Sequence, residues 1–102
     1  MHYVIICIDK PASLELRMAT REAHLAYVKS TELVRFVVGG PFLSDDEKMI
    51  GSMLIVESDA REKVDEFVAD DPYGKAGLFQ SVGVHPWKAT VGSLGLSQPK
   101  QS

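Results

Sequence analysis

The sequence contains a single cysteine, Cys7, among its 102 residues. An internal disulfide is therefore excluded, which suits a reducing compartment such as the cytoplasm. No apolar run approaches the roughly 20 residues of a membrane-spanning helix, and the N-terminal segment does not resemble a secretory signal. We therefore expect a cytoplasmic protein that does not engage a membrane.

Motifs for metals, nucleotides and nucleic acids are also missing. The chain has no Cys-x-x-Cys or His-Glu-x-x-His pattern, its three histidines are far apart, and no P-loop or Gly-x-Gly-x-x-Gly segment is present. Its net charge of −3 provides no general attraction to nucleic acid. The sequence therefore predicts no metal site, no cofactor and no nucleic-acid partner.

What is present is the composition of a globular protein, with 45% hydrophobic and 25% charged residues. This length predicts one domain. The last ten positions, 93–102, are polar and rich in serine, glycine and glutamine. We expect residues 1–92 to form the domain and residues 93–102 to be a flexible tail.

The hydrophobic pattern alternates between strand and helix periods along the chain. It predicts β-α-β-β-α-β, the α+β ferredoxin-like order with an antiparallel sheet and both helices on one face. Expected strands are Tyr3–Ile8, Val34–Val38, Met49–Val56 and Leu78–Val84, and expected helices are Leu14–Val28, Asp59–Ala69 and a short turn capped by Asp71. The first strand, apolar on both sides, is predicted to be central, and Gly39-Gly40-Pro41 to be the turn that ends the second strand.

The face of this sheet without helices would carry several apolar residues. A small domain gains by covering such a face with a copy of itself. The sequence therefore predicts a homodimer.

The helix Leu14–Val28 combines an apolar stripe with a polar border. Residues three or four apart on a helix are neighbours, which places Arg17, Arg21 and His24 together along one edge of the stripe. The predicted stripe consists of Leu14, Met18, Leu25 and Val28. This border is the best candidate for half of a functional site.

His24 and Asp71 are the two candidates for acid/base chemistry. Histidine exchanges a proton near neutral pH, although a helix histidine half-covered by the core is an equally ordinary structural feature. An aspartate before Pro72 is typical of a helix N-cap, but a carboxylate beside His24 would also orient the imidazole. The sequence does not decide whether the two side chains meet.

Four other positions are candidates for ligand binding. Arg17 and Arg21 can bind an anionic group, or they can pair with acids such as Glu15 or Asp71. Ser52 can line a cavity or simply accompany Gly51 at a bulge. The phenol of Tyr73 can cap a pocket or only pack.

Several pieces of the chain follow one another at a recognisable order and spacing. They are Tyr3-Val4-Ile5, Ser13-Leu14 with Arg17, Arg21-Glu22-Ala23-His24-Leu25, Gly39-Gly40-Pro41, Gly51-Ser52, Asp70-Asp71-Pro72-Tyr73, Ala76-Gly77-Leu78-Phe79 and Val84-His85-Pro86-Trp87. This ordered set resembles the YciI-like, or YCII-related, proteins over residues 1–91. One departure is Trp87, since another aromatic such as Phe usually follows the proline in that family.

This resemblance implies a ferredoxin-like fold that dimerises through its sheets into an α/β barrel. It implies that His24 and Asp71 form an active-site pair, in a pocket also lined by Arg17, Gly40-Pro41 and Ser52. Most family members have no assigned reaction, and at least one dechlorinates a hydroxylated aromatic ring.

The sequence and the resemblance together favour a small enzyme without metal or cofactor. His24 would act as general acid or base with Asp71, while Arg17, with or without Arg21, holds an anionic or phenolic oxygen of a small ligand. The reaction would be an elimination or isomerisation. The alternative is a non-catalytic module that binds a small molecule or a partner protein. A haem- or oxygen-using barrel is a third reading, but nothing marks His24 as an axial ligand.

Overall fold

The computed structural model of the chain describes residues 1–92. The elements follow the predicted order, which confirms the α+β ferredoxin-like class, with one short extra helix before the last strand. They are β1 (His2–Asp9), α1 (Leu14–Ser30), β2 (Arg35–Leu43), β3 (Met49–Glu57), α2 (Arg61–Asp70), α3 (Pro72–Lys75) and β4 (Phe79–Trp87). The tail expected at 93–102 lies outside the described residues.

The sheet is antiparallel, with the strand order β2-β3-β1-β4. β1 is central, as its two apolar sides predict. β4 lies at one edge, where Pro86 is tolerated because its missing N–H faces no further strand.

The core lies between the helices and one face of the sheet. Tyr3, Ile5 and Cys7 alternate along β1 toward this side, and Ile5 pairs with Leu54 of β3. The helices contribute Val28 from α1 and Val64 and Phe67 from α2 to the same cluster. The register of β1 with β3 therefore fixes which side chains face the helices.

The Gly39-Gly40-Pro41 turn prediction is wrong. β2 continues through these residues to Leu43, and Pro41 pairs with Ser52 of β3. The chain reverses later, in the loop from Ser44 to Lys48, where Ser44 N–H donates to the Lys48 carbonyl at 2.8 Å. An edge strand has no neighbour on one side, so it accommodates proline and glycine without losing ladder hydrogen bonds.

The orientation of α1 also differs from the prediction. Leu14 and Met18 of the predicted apolar stripe are 37% and 52% exposed, whereas Arg17 and His24 of its border are buried. The helix is thus rolled so that Arg17 and His24 face the interior while Arg21 stays exposed, and only the C-terminal end of the stripe, at Val28, enters the core.

Only the short helix α3 has a side-chain N-cap among the helices of residues 1–92. Ser13 makes no cap hydrogen bond to α1; Ala60 is the N-cap of α2, and the neighbouring Asp59 pairs with Lys63 at 3.2 Å. Asp71 does cap α3, because its side chain accepts the backbone N–H of Tyr73. This cap fixes the Asp71 carboxylate at the junction of α2 and α3.

The sheet face without helices is largely apolar. Val4, Ile6 and Ile8 alternate with the core residues of β1 and therefore point to this side. Ile8 is 41% exposed and Met53 of β3 is 36% exposed. Among residues 1–92, no helix has both the length and the hydropathy needed to cross a membrane.

Candidate active site

A buried ion pair joins the end of β1 to the start of α1. Nε of Arg17 donates to Oδ2 of Asp9 at 2.7 Å, and Nη2 donates to Oδ1 at 3.0 Å. Nη2 also donates to Oγ of Ser52 at 2.8 Å. The side chains of the pair are only 3% and 5% exposed, so a lost partner could not be replaced by bulk water. Arg17 therefore pairs with an acid, but with Asp9 rather than with Glu15 or Asp71.

Asp9 is the site residue that sequence reasoning missed. The available signal was a carboxylate directly after the apolar run Tyr3–Ile8, at the end of the central strand. Burial by itself lowers the pKa of the Arg17 guanidinium. The hydrogen bond to Asp9 and the negative charge of Asp9 act in the opposite direction, and the net result is a pKa above its usual value. Arg17 is therefore held as a cation whose charge is balanced inside the protein.

His24 and Asp71 meet, although they are 47 positions apart in sequence. Nδ1 of His24 lies 2.9 Å from Oδ1 and 3.0 Å from Oδ2 of Asp71. Oδ1 also accepts the backbone N–H of Tyr73 at 2.9 Å. Because a carboxylate only accepts hydrogen bonds, we assign the imidazole hydrogen to Nδ1, which leaves Nε2 with a free lone pair. Asp71 is thus both the helix cap and the partner of His24.

The Tyr73 ring lies against both Arg17 and His24. It stacks on the imidazole with centroids 4.1 Å apart, and Cζ of Arg17 lies 4.6 Å from the ring centroid. Phe79 meets the ring edge-on at a centroid distance of 6.0 Å. Although Arg17 and His24 are about two turns apart on α1, the single Tyr73 ring contacts both side chains. Tyr73 is 1% exposed and has little freedom to move.

These side chains border a cavity of about 200 Å³. Seven of the eight predicted site positions line it, and Asp71 lies behind His24. Its polar lining is Arg17, Arg21, His24, Lys29, Ser52 and Tyr73; its apolar lining is Leu25, Val28, Phe36, Met49 and Leu54; β2 contributes Gly39, Gly40 and Pro41. The chain therefore gathers the predicted residues around one space that is polar on one side and apolar on the other.

Three polar atoms of this lining have no protein partner within residues 1–92: Nη1 of Arg17, Nε2 of His24 and Oη of Tyr73. In that part of the chain, the one sealed side-chain polar atom without a partner is Nε2 of His2. The three atoms are therefore not sealed inside the protein, and the residues that carry them line this cavity.

The exposed residues Arg21 and Lys29 add positive charge beside this space. Neither of them takes part in an ion pair with another residue in the range 1–92. The cavity therefore favours a ligand that carries negative charge.

A larger cavity, of about 560 Å³, is lined in part by Asp9, Lys10, Lys48 and Ile50. It contains no histidine, so the smaller cavity is the better candidate for acid/base chemistry.

Cys7 does not contribute a nucleophile. Burial raises the pKa of its thiol to about 12, with a further increase from the negative charge of Asp71. The thiol is therefore inert in its buried position in the core. Within residues 1–92, no group of three or more His, Cys, Asp or Glu side chains is arranged to hold a metal ion.

The comparisons with known proteins agree with this fold. Residues 1–88 match the YCII-related domain family. An uncharacterised protein of Haemophilus influenzae is 37% identical over 95 residues, covering 86% of this chain and 97% of the relative. Protein YciI of Escherichia coli is 35% identical over 95 residues, with the same coverage of 86% and 97%.

A solved structure similar to this chain is that of an enzyme. The 5-chloro-2-hydroxyhydroquinone dehydrochlorinase TftG of Burkholderia phenoliruptrix, in complex with 2,5-dihydroxybenzoquinone, is 41% identical. It has a TM-score of 0.78, and the match covers 86% of this chain and 94% of TftG. This similarity supports the interpretation of the chain as a small enzyme. The chain belongs to the YCII-related domain family.

Proposed function

We propose that this protein is a small enzyme in which Nε2 of His24 acts as general acid or base and Asp71 orients the imidazole. The observation that carries the proposal is the contact of Nδ1 with both carboxylate oxygens of Asp71, at 2.9 and 3.0 Å, which leaves Nε2 at the cavity. This is the arrangement in which an acid fixes the tautomer of a catalytic histidine. The step is a proton transfer, for which these two residues suffice without a cofactor.

The shape and charge of the cavity support a small, hydroxylated, anionic ring as substrate. A volume of about 200 Å³ suits a single ring, with Phe36 and Leu54 on its apolar side. Arg17, Arg21, Ser52 and Tyr73 would bind polar substituents, with Gly40 and Pro41 beside them. TftG, which binds 2,5-dihydroxybenzoquinone, is similar enough to suggest the same class.

The proposed reaction is an elimination or isomerisation that begins with removal of a ring-carbon or hydroxyl proton. Nε2 of His24 accepts the proton, and the electron pair left behind moves into the ring. In an elimination a leaving group departs with its bonding pair as an anion, and the imidazolium returns the proton to solvent. The Asp71 carboxylate stabilises the imidazolium during this cycle.

Nitrogen NMR of the His24 imidazole in the absence of ligand tests the His24–Asp71 pair. In the spectrum of Asp71→Asn, we expect a smaller population of the His24 tautomer that carries its hydrogen on Nδ1. Asp70→Asn, the same charge change at the exposed neighbouring position, is the matched control. An Asp71→Asn spectrum indistinguishable from that of the control would refute the pair.

We also propose that a second copy of the chain covers the open face of the sheet. Val4, Ile6, Ile8 and Met53 on this face would otherwise keep apolar surface in water. Light scattering at micromolar concentration should then give twice the 11.2 kDa of one chain. Ile6→Asp, which places a charge on this face, should shift the mass toward that of one chain. Met18→Asp, at an exposed position of α1, should leave the mass unchanged. A wild-type mass of one chain would contradict the homodimer.

A further inference from the structure

The hydroxyl of Tyr73 has no role in the packing of the site. The ring supplies the stacking on His24, the contact with Arg17 and the edge contact with Phe79, and phenylalanine would supply all three. Although Tyr73 is only 1% exposed, its Oη is not sealed, and it has no hydrogen-bond partner among residues 1–92. Because Tyr73 lines the cavity, a ligand bound there can supply the partner that Oη lacks.

We propose that Oη of Tyr73 and Nη1 of Arg17 together donate hydrogen bonds to one oxygen of the substrate, opposite Nε2 of His24. This inference rests on the proposed function, because it assigns the substrate oxygen that accompanies proton removal by His24.

The neighbours of the two donors hold them in place. Asp9 and Ser52 occupy Nε and Nη2 of Arg17, so Nη1 is the nitrogen left for a ligand. Stacking on His24 and the bond from its backbone N–H to Asp71 restrict Tyr73. Donors fixed before the ligand arrives need little reorganisation during the reaction.

The phenol remains a donor at neutral pH. Burial raises the pKa of Tyr73, and the charges of Asp71 and Asp9 act in the same direction, against the lowering effect of Arg17 and Arg21. A neutral phenol and a guanidinium are both donors, so they are suited to an oxygen that gains negative charge.

This arrangement restricts the class of substrate. When Nε2 removes a proton from a carbon, the C–H electron pair forms a carbon–carbon double bond, and the π pair of the adjacent carbonyl moves onto its oxygen. The substrate must therefore carry a carbonyl, or a ring hydroxyl whose keto tautomer supplies one, next to the carbon that loses the proton. A ring without such an oxygen would leave both donors unpaired and would bind poorly.

The test uses 2,5-dihydroxybenzoquinone, the molecule bound to TftG, as a probe whose affinity is measured by calorimetry. In Tyr73→Phe, which keeps the ring, we expect an affinity about tenfold lower than in the wild type. Tyr27→Phe is the matched control, because Oη of Tyr27 donates to the Phe67 carbonyl at 2.8 Å and is not part of the cavity. Its affinity should stay at the wild-type value.

A second readout separates ligand binding from a structural effect. The His24 imidazole resonances of ligand-free Tyr73→Phe should match those of the wild type, since the stacked ring is retained. Equal probe affinity in Tyr73→Phe and wild type would overturn the inference, as would no wild-type binding at millimolar probe. Neither result affects the ligand-free test of the His24–Asp71 pair, so failure of this inference and failure of the proposed function are distinguishable.

Discussion

Replacing His24 with glutamine should lower turnover of a hydroxylated aromatic substrate by at least about 100-fold, because a positioned general base contributes typically 10² to 10⁴ in rate. Glutamine has similar length and polarity but cannot exchange a proton near neutral pH. Its amide can still bond to Asp71, so the fold should be retained.

The measurement is a screen of ring hydroxyls and their chlorinated derivatives, followed by absorbance, with wild type and His24→Gln at equal concentration. Glu22→Gln is the matched control, because Glu22 is an exposed residue of the same helix, α1, and lies outside the cavity. It should keep wild-type turnover.

The same screen separates catalysis from simple binding. Tight binding without turnover by the wild type, undiminished in His24→Gln, would favour a non-catalytic binding module. Equal turnover by wild type and His24→Gln would contradict the role proposed for this residue.

Replacing Arg17 with methionine should lower the free energy of unfolding by about 3–5 kcal/mol, because it leaves the Asp9 carboxylate buried without its partner. The carboxylate would lose two hydrogen bonds, of 2.7 and 3.0 Å, in a place that water does not reach freely. Urea unfolding followed by circular dichroism measures this change.

An exposed pair provides the matched control. Arg61 bonds to Asp65 at 3.0 Å across one turn of α2, and both side chains are about half exposed. Arg61→Met should cost no more than about 0.5 kcal/mol, since exposed pairs of this spacing contribute little. A cost for Arg17→Met as small as that of the control would show that the buried pair is unimportant for stability.

The double variant Asp9→Leu with Arg17→Met removes both charges at once. It should recover most of the lost stability, because an apolar pair does not leave a buried charge unpaired. Binding of 2,5-dihydroxybenzoquinone should nevertheless stay weak, because Nη1 of Arg17 is absent. Recovered stability together with weak binding would show that the pair is needed for the ligand and not for the fold.

The sequence determined the features that depend on neighbouring residues. Hydrophobic periodicity predicted the order of strands and helices, and the two apolar sides of Tyr3–Ile8 predicted a central strand. Asp71 before Pro72 predicted the cap of α3, since the carboxylate and the N–H that it accepts are two residues apart. Such local chemistry acts wherever the segment lies in the fold.

The tertiary structure decided the contacts between distant segments. Whether His24 would meet Asp71 depended on how α1 packs against the α2–α3 junction, and the choice of Asp9 for Arg17 depended on the end of β1 lying beside α1. The roll of α1 reversed the expected burial of Met18 and Arg17. The physical reason is that helix periodicity shows which residues share a face, whereas the partner of that face is set by the packing of all elements together.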